Sequence, residues 1–213
     1  MDPLFLAYLS LTAALVITPG ATVAVVVRNT LSGGYRGGLS AALGAALGNS
    51  IHAVAAGLGL AVLVSRSPLL LALIQLTGGG YLLWLGLKSA RRILDHDALP
   101  VSGVILSGAG AHVHHLAWRE GLVVNLLNPP IITFYLAVVP SFMPPSAPQA
   151  HYLQLASTHV GMAFAVHNVW ALSLDRLRPL LERPAARVAL EGLTAGALFL
   201  IATRVLTAAW AGL

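Results

Sequence analysis

The 213-residue chain contains no cysteine, which rules out disulfide scaffolds, thiolate metal sites and dithiol redox chemistry. Charge is scarce as well: only 9% of the residues are Asp, Glu, Lys or Arg, against about 25% in an ordinary soluble domain. Catalytic signatures are missing. No HExxH, GxSxG, P-loop or GxGxxG pattern occurs, so nothing argues for an enzyme, a nucleotide site or a cofactor. A nucleic-acid signature is also absent, and a formal net charge of +5 here sets membrane orientation before it suggests an anionic polymer. The segment Met1-Asp2-Pro3-Leu4 lacks the basic start of a secretory signal and leads into an apolar run too long for one, so a retained helix is expected.

What the chain has instead is apolar sequence: 57% of its residues are hydrophobic and the mean hydropathy is +0.82. Runs of roughly 17 to 25 apolar residues are long enough to cross a bilayer. Six can be placed, at Leu4 to Val27, Leu39 to Val64, Pro68 to Leu87, Leu122 to Val139, Tyr152 to Leu174 and Val188 to Ala209. The expectation is an all-α integral membrane protein with one transmembrane domain over residues 1–213. The links are a Gly-rich turn at Ser32 to Gly38, a tight turn at Ser65 to Ser67, a long polar connection from Ser89 to Glu120, a proline-rich stretch from Pro140 to Ala150, and Asp175 to Arg187.

Ten of the twelve basic residues, Arg28, Arg36, Lys88, Arg91, Arg92, Arg119, Arg176, Arg178, Arg183 and Arg187, flank the first, third and fifth links. Cytoplasmic loops carry the excess of Lys and Arg, so those links are placed inside and both termini outside. Helices one to three then run antiparallel to four to six. That is an inverted repeat, with repeat one over about 1–92, a cytoplasmic connection over about 89–120 and repeat two over about 119–213. A second likeness points the same way: Gly80-Tyr81-Leu82-Leu83-Trp84-Leu85-Gly86-Leu87-Lys88 resembles Gly196-Ala197-Leu198-Phe199-Leu200-Ile201-Ala202-Thr203-Arg204.

Two polar, helix-breaking interruptions lie in corresponding apolar runs, about 110 residues apart: Thr18-Pro19-Gly20-Ala21 and Asn125-Leu126-Leu127-Asn128-Pro129-Pro130. A proline has no N–H, so Pro19 leaves the carbonyl of Leu15 without its helical partner, and Pro129 and Pro130 do the same to Asn125 and Leu126. An unsatisfied backbone group in hydrocarbon costs several kcal/mol, so such breaks persist where protein or a water-filled cavity surrounds them. Two ordinary kinks are the plain alternative. Two matched breaks favour one shared substrate cavity, in which Thr18, Pro19, Gly20, Ala21, Asn125, Asn128, Pro129 and Pro130 meet the ligand. Asn125 and Asn128, three apart, share a face where helix persists.

Other motifs are read more modestly. Gly44-Ala45-Ala46-Leu47-Gly48 is a small-residue stripe for close helix packing, within the bundle or between copies of a homo-oligomer. An ionisable group at a helix centre costs about 2.5 to 3.5 kcal/mol even on lenient scales. His52, His159 and His167 therefore need a reason, either an interior hydrogen bond or proton coupling, for which His52 and His167 are the candidates. Arg204 lies near a helix end and is explained by snorkelling. His112-Val113-His114-His115, with His96, matches no strong metal-ligand spacing and is read as a solvated loop.

These residues together resemble the LysE/RhtB family of amino acid exporters over nearly the whole chain. The resemblance rests on Thr18-Pro19-Gly20, the Ser32 to Leu39 turn, Gly44 and Gly48 with His52, Tyr81 to Leu87, and Asn125-Leu126-Leu127-Asn128-Pro129. It implies a small six-helix inner-membrane protein that exports amino acids or close derivatives, driven by the proton gradient. Ala21 and Pro130 depart from the family pattern, which usually has a second proline at the first position and a lysine at the second. With no Asp or Glu in the central spans to pair with a cationic side chain, a neutral amino acid is expected. The alternatives are a divalent metal exporter using the His112 to His115 loop, and a non-transporting assembly protein.

The orientation is directly testable because there is no native cysteine. A single Ser102→Cys change is expected to resist impermeant thiol reagents in intact cells, and rapid labelling there overturns the orientation.

Overall fold

A computed structural model describes residues 2–18, 20–58, 67–94, 110–144, 147–177 and 184–211. They form seven helices: α1 (Pro3–Ile17), α2 (Ala21–Gly57), α3 (Pro68–Leu94), α4 (Gly110–Leu126), α5 (Pro129–Ser141), α6 (Gln149–Arg176) and α7 (Pro184–Ala211). No strand occurs among the described residues. By length and composition α2 and the Gly192–Trp210 part of α7 can each cross a membrane, and α4 with α5 makes a third if the bent pair is one span. Pro19, Arg66, His96 and Ser102 lie outside the described residues, as do the side chains of His112 and His114.

Helix α1 starts on Asp2, whose carboxylate accepts the Leu4 N–H (3.0 Å), with Pro3 at the first helical position, where no N–H is needed. It buries Tyr8, Thr12 and Val16, one face at a spacing of four. Helix α2 differs: every residue from Ala21 to Thr30 is buried, so this arm is enclosed on all sides. At Gly34 the backbone takes φ 64°, ψ −165°, open to glycine alone. The chain folds back there, and Gly37 and Gly38 lie against the Asn29 carbonyl and the Thr30 side chain. The Gly-rich turn of the sequence thus narrows to a single reversal.

Helix α2 packs along α4 and α6, and α3 packs along α7. A Cβ on Gly44 would strike the Trp118 carbonyl and one on Gly121 the Ala41 carbonyl, so α2 and α4 touch backbone to backbone. Gly44 therefore serves packing inside the bundle. One apolar core joins Val25, Val26, Leu82, Leu85, Val124, Ala171 and Leu198. A second, aromatic cluster holds Tyr8, Phe134, Tyr135 and Tyr152, and the Tyr8 hydroxyl donates to the Leu155 carbonyl (2.6 Å), tying α1 to α6.

The long connection is shorter than its polarity suggests. Helix α3 runs on to Leu94 and α4 begins at Gly110, so the backbone from 110 to 120, including the His112 to His115 stretch, is helical. Glu120 is buried on α4, with Arg28 of α2 as its ion-pair partner, Asn29 Nδ2 donating to it (3.0 Å) and Lys88 Nζ of α3 at 3.8 Å. Removing one member of a buried pair costs about 3 to 5 kcal/mol because the other charge is stranded. Glu120→Leu is accordingly expected to cut the amount of folded protein in the membrane severalfold, and Arg28→Leu/Glu120→Leu to restore much of it. An unchanged amount in the single variant contradicts the pairing.

Candidate functional site

Helix α4 stops at Leu126 because Pro129 and Pro130 bring no N–H to the carbonyls behind them. Asn128, just before a proline, is pushed out of the helical region to φ −95°, ψ 103°, and α5 leaves at 57° to the axis of α4. Asn125 and Asn128 consequently do not share a helix face, because helix does not persist between them. The stranded Asn125 carbonyl gains two new partners, the Asn128 N–H (3.1 Å) and Nε2 of His52 (3.2 Å). His52, half-buried on α2, thus supports the break, and it is not among the residues that line the cavity below.

The side chain of Asn125 is 0% exposed, and its Nδ2 donates to Oδ1 of Asn49 (2.9 Å), itself 1% exposed. Gly48 makes room for this contact. A Cβ there would stand 2.6 Å from Asn125 Oδ1 and 2.9 Å from Asn125 Cβ. The first break is built more simply. Thr18 is extended (φ −64°, ψ 123°), and its N–H (3.3 Å) and hydroxyl (2.7 Å) both donate to the Ala14 carbonyl. Gly20, also extended, then leads into α2 without a side-chain cap.

Both breaks line one cavity of about 510 Å³, within the size range of small-molecule sites. Thr18, Gly20 and Ala21 contribute from the first, and Asn125, Asn128, Pro129 and Pro130 from the second. His159, Ala163 and His167 of α6, Gln75 of α3 and Arg204 of α7 complete the wall with apolar neighbours. His159 Nδ1 is hydrogen-bonded to the Tyr135 hydroxyl (2.8 Å), an interior partner of the ordinary kind. Thr22 Oγ1, Asn125 Oδ1 and His167 Nδ1, all buried and all in lining residues, have no hydrogen-bond partner among the described residues.

Sequence reasoning missed Asn49, Thr22 and Gln75, since a search for ionisable groups passes over neutral amides and hydroxyls. Arg204, read from the sequence as a snorkelling side chain near a helix end, is exposed and also borders the cavity.

The two breaks differ in what they offer a ligand. The N–H groups of Ala21, Thr22 and Val23 open α2 with no partner inside the helix, since the first bond of the ladder runs from Ala24 N–H to the Gly20 carbonyl (3.0 Å). At α5 the first two residues are prolines, and the N–H groups of Ile131 (3.0 Å) and Ile132 (3.3 Å) both bond the Asn128 carbonyl. The donors that favour an anion therefore lie at the start of α2.

A bundle of apolar helices with a cavity between interrupted segments is the pattern of a secondary transporter. The chain belongs to the LysE type translocator family, whose sequence profile matches residues 13–209. It is 30% identical over 204 residues to the homoserine/homoserine lactone efflux protein of Salmonella typhimurium, covering 95% of each chain. It is 26% identical over 152 residues to the leucine efflux protein of Salmonella choleraesuis (71% of this chain and 64% of that one). An uncharacterized membrane protein of Bacillus subtilis is 33% identical over 140 residues (65% and 67%). No solved structure matches the chain.

The geometry separates the two asparagines. Leu at position 125 leaves the Asn49 amide unpartnered, at about 1 to 3 kcal/mol, so Asn125→Leu is expected to lower membrane abundance. Asn128 is only half-buried, and Asn128→Leu is expected to insert at the parental level. Quantified membrane blots of the two variants check the contrast, which equal losses would refute.

Proposed function

We propose that this protein exports neutral amino acids or close derivatives from the cytoplasm through the cavity between α1–α2 and α4–α5, driven by the proton gradient. One observation carries the proposal: the two proline breaks line a single cavity whose described wall contains no Asp or Glu. A zwitterion needs donors for its carboxylate and acceptors for its ammonium. The start of α2 supplies donors, while the ends of α1 and α4 supply carbonyls at negative helix termini. A cationic side chain finds no carboxylate there, which favours neutral substrates. Relatives with efflux of leucine and homoserine in their names agree with that chemistry.

In this reading each broken pair, α1 with the first arm of α2 and α4 with α5, is one interrupted span. With the second arm of α2, α3, α6 and α7 they make six spans in two inverted repeats, in the inner membrane with both termini outside. His167 is the candidate proton carrier, because it lines the cavity with Nδ1 unpartnered, and His52 is the weaker one, because its Nε2 meets the Asn125 carbonyl.

Efflux of a labelled amino acid panel, from cells with and without the protein and with and without an uncoupler, tests the function. Expected is uncoupler-sensitive efflux of a neutral amino acid, lost in Asn128→Leu and Thr18→Val at unchanged membrane abundance. Near-parental efflux in either variant removes the shared-cavity account. His167→Gln keeps a hydrogen-bonding side chain without a titrating one, and is expected to abolish the uncoupler-sensitive part; parental, uncoupler-sensitive rates in both it and His52→Gln reject histidine coupling.

A further inference from the structure

Arg204 is the one Arg or Lys among the described residues that line the cavity. On α7, Ile201, Arg204, Val205 and Ala208 line the cavity, a spacing that defines one helix face. The adjoining face of α7 packs inward, with Leu198, Ala202 and Ala209 buried and Leu206 and Val205 against Gly79 of α3. Rotation of α7 in the bundle is thereby fixed, and it leaves Arg204 exposed at the margin of the cavity. Position 204 is seven residues before the end of the helix at Ala211, roughly 10 Å along its axis.

Its counterpart in the repeated helix ending is Lys88, and the two cations are treated differently. Lys88 has Glu120 at 3.8 Å. No carboxylate among the described residues lies within ion-pair distance of Arg204. Those carboxylates are engaged elsewhere: Asp2 with the Leu4 N–H, Glu120 with Arg28, Asp175 with the Tyr35 N–H (2.9 Å). A guanidinium in a cavity with no protein anion is matched to a planar anion that comes and goes, and it binds a carboxylate through two parallel hydrogen bonds.

Other buried polar atoms place the opposite pole. Asn125 Oδ1, Thr22 Oγ1 and His167 Nδ1 are buried, unpartnered among the described residues, and belong to lining residues on α4, α2 and α6. A carboxamide oxygen can only accept, while a hydroxyl and a neutral imidazole can accept or donate. Three elements thus present neutral groups able to receive an ammonium, and a fourth presents the only cation in the described wall.

We propose that Arg204 is the carboxylate-binding, specificity-determining residue of the cavity, so that the preferred cargo is a free α-amino acid rather than its lactone, ester or amide. The inference rests on the amino acid export reading, and deepens it by naming the group that is recognised. An ester or lactone retains the ammonium but removes the anion that Arg204 would bind.

The test uses purified full-length protein in proteoliposomes loaded with labelled leucine or labelled homoserine, and compares inhibition by the unlabelled acid with inhibition by leucine amide or homoserine lactone. The parental protein is expected to prefer the acid by about tenfold or more, the size of a charge-assisted bond pair. Arg204→Gln is expected to erase most of that preference, by weakening the acid and sparing the neutral-headed competitor, and Arg204→Lys to restore part of it. Equal inhibition by acid and amide or lactone in the parental protein overturns the proposal without any variant, as does a full parental preference in Arg204→Gln. If the parental protein moves neither labelled compound, the export reading fails with it. Transport that shows no acid preference defeats the Arg204 assignment alone.

Discussion

The structure depends on how one stranded carbonyl is satisfied. Pro129 denies the Asn125 carbonyl its helical partner, and inside an apolar bundle that group cannot turn to bulk water. His52 and the Asn128 N–H take it up, and the neighbouring Asn125 side chain is held by Asn49. These contacts fix where α4 ends and α5 begins, and Gly48 is the bare position on α2 that lets Asn125 lie there. The opposing break needs less, because the Thr18 hydroxyl and N–H both turn back on Ala14. Each break is thus stabilised locally, and together they leave a cavity that neither fills.

Charge is distributed to match. The buried ion pair of Arg28 and Glu120, with Asn29 and Lys88 beside it, joins α2, α4 and α3 and neutralises itself within the protein. Arg204 and the amides that open α2 have no such complement among the described residues, and both lie at the cavity. A transporter must bind its cargo in a medium where uncompensated charge is expensive, yet release it. A positive group completed only by the passing ligand fulfils both conditions.

How much of this was legible in the sequence depends on the range of each interaction. Proline breaks are local chemistry, since the missing N–H can be counted from the residue itself, and the helix ends at Ile17 and Leu126 fall where that count puts them. The small-residue stripe at Gly44 and Gly48 was legible too, although not that Gly48 serves a side chain and Gly44 a backbone. Pairings between distant segments were not. Asn49 and Asn125 are 76 residues apart and Arg28 and Glu120 are 92 apart, and no local signal announces either. The start of α4 was hidden for another reason: its first turns carry His, Arg and Glu, which read as a loop when apolar runs alone define helices. That Arg204 borders the cavity was not legible either, because the packing of α7 against its neighbours decides it.

The central claim is that one ligand touches both breaks, and a chain without cysteine allows this to be measured directly. Val16→Cys and Ile131→Cys, at lining positions beside the two breaks whose side chains are not assigned to the ligand, each the only cysteine in its protein, can be labelled in proteoliposomes with a small thiol reagent while the exported amino acid is titrated in. The account predicts that the same amino acid slows labelling at both positions, with the same half-maximal concentration. Protection at one position and none at the other would contradict it.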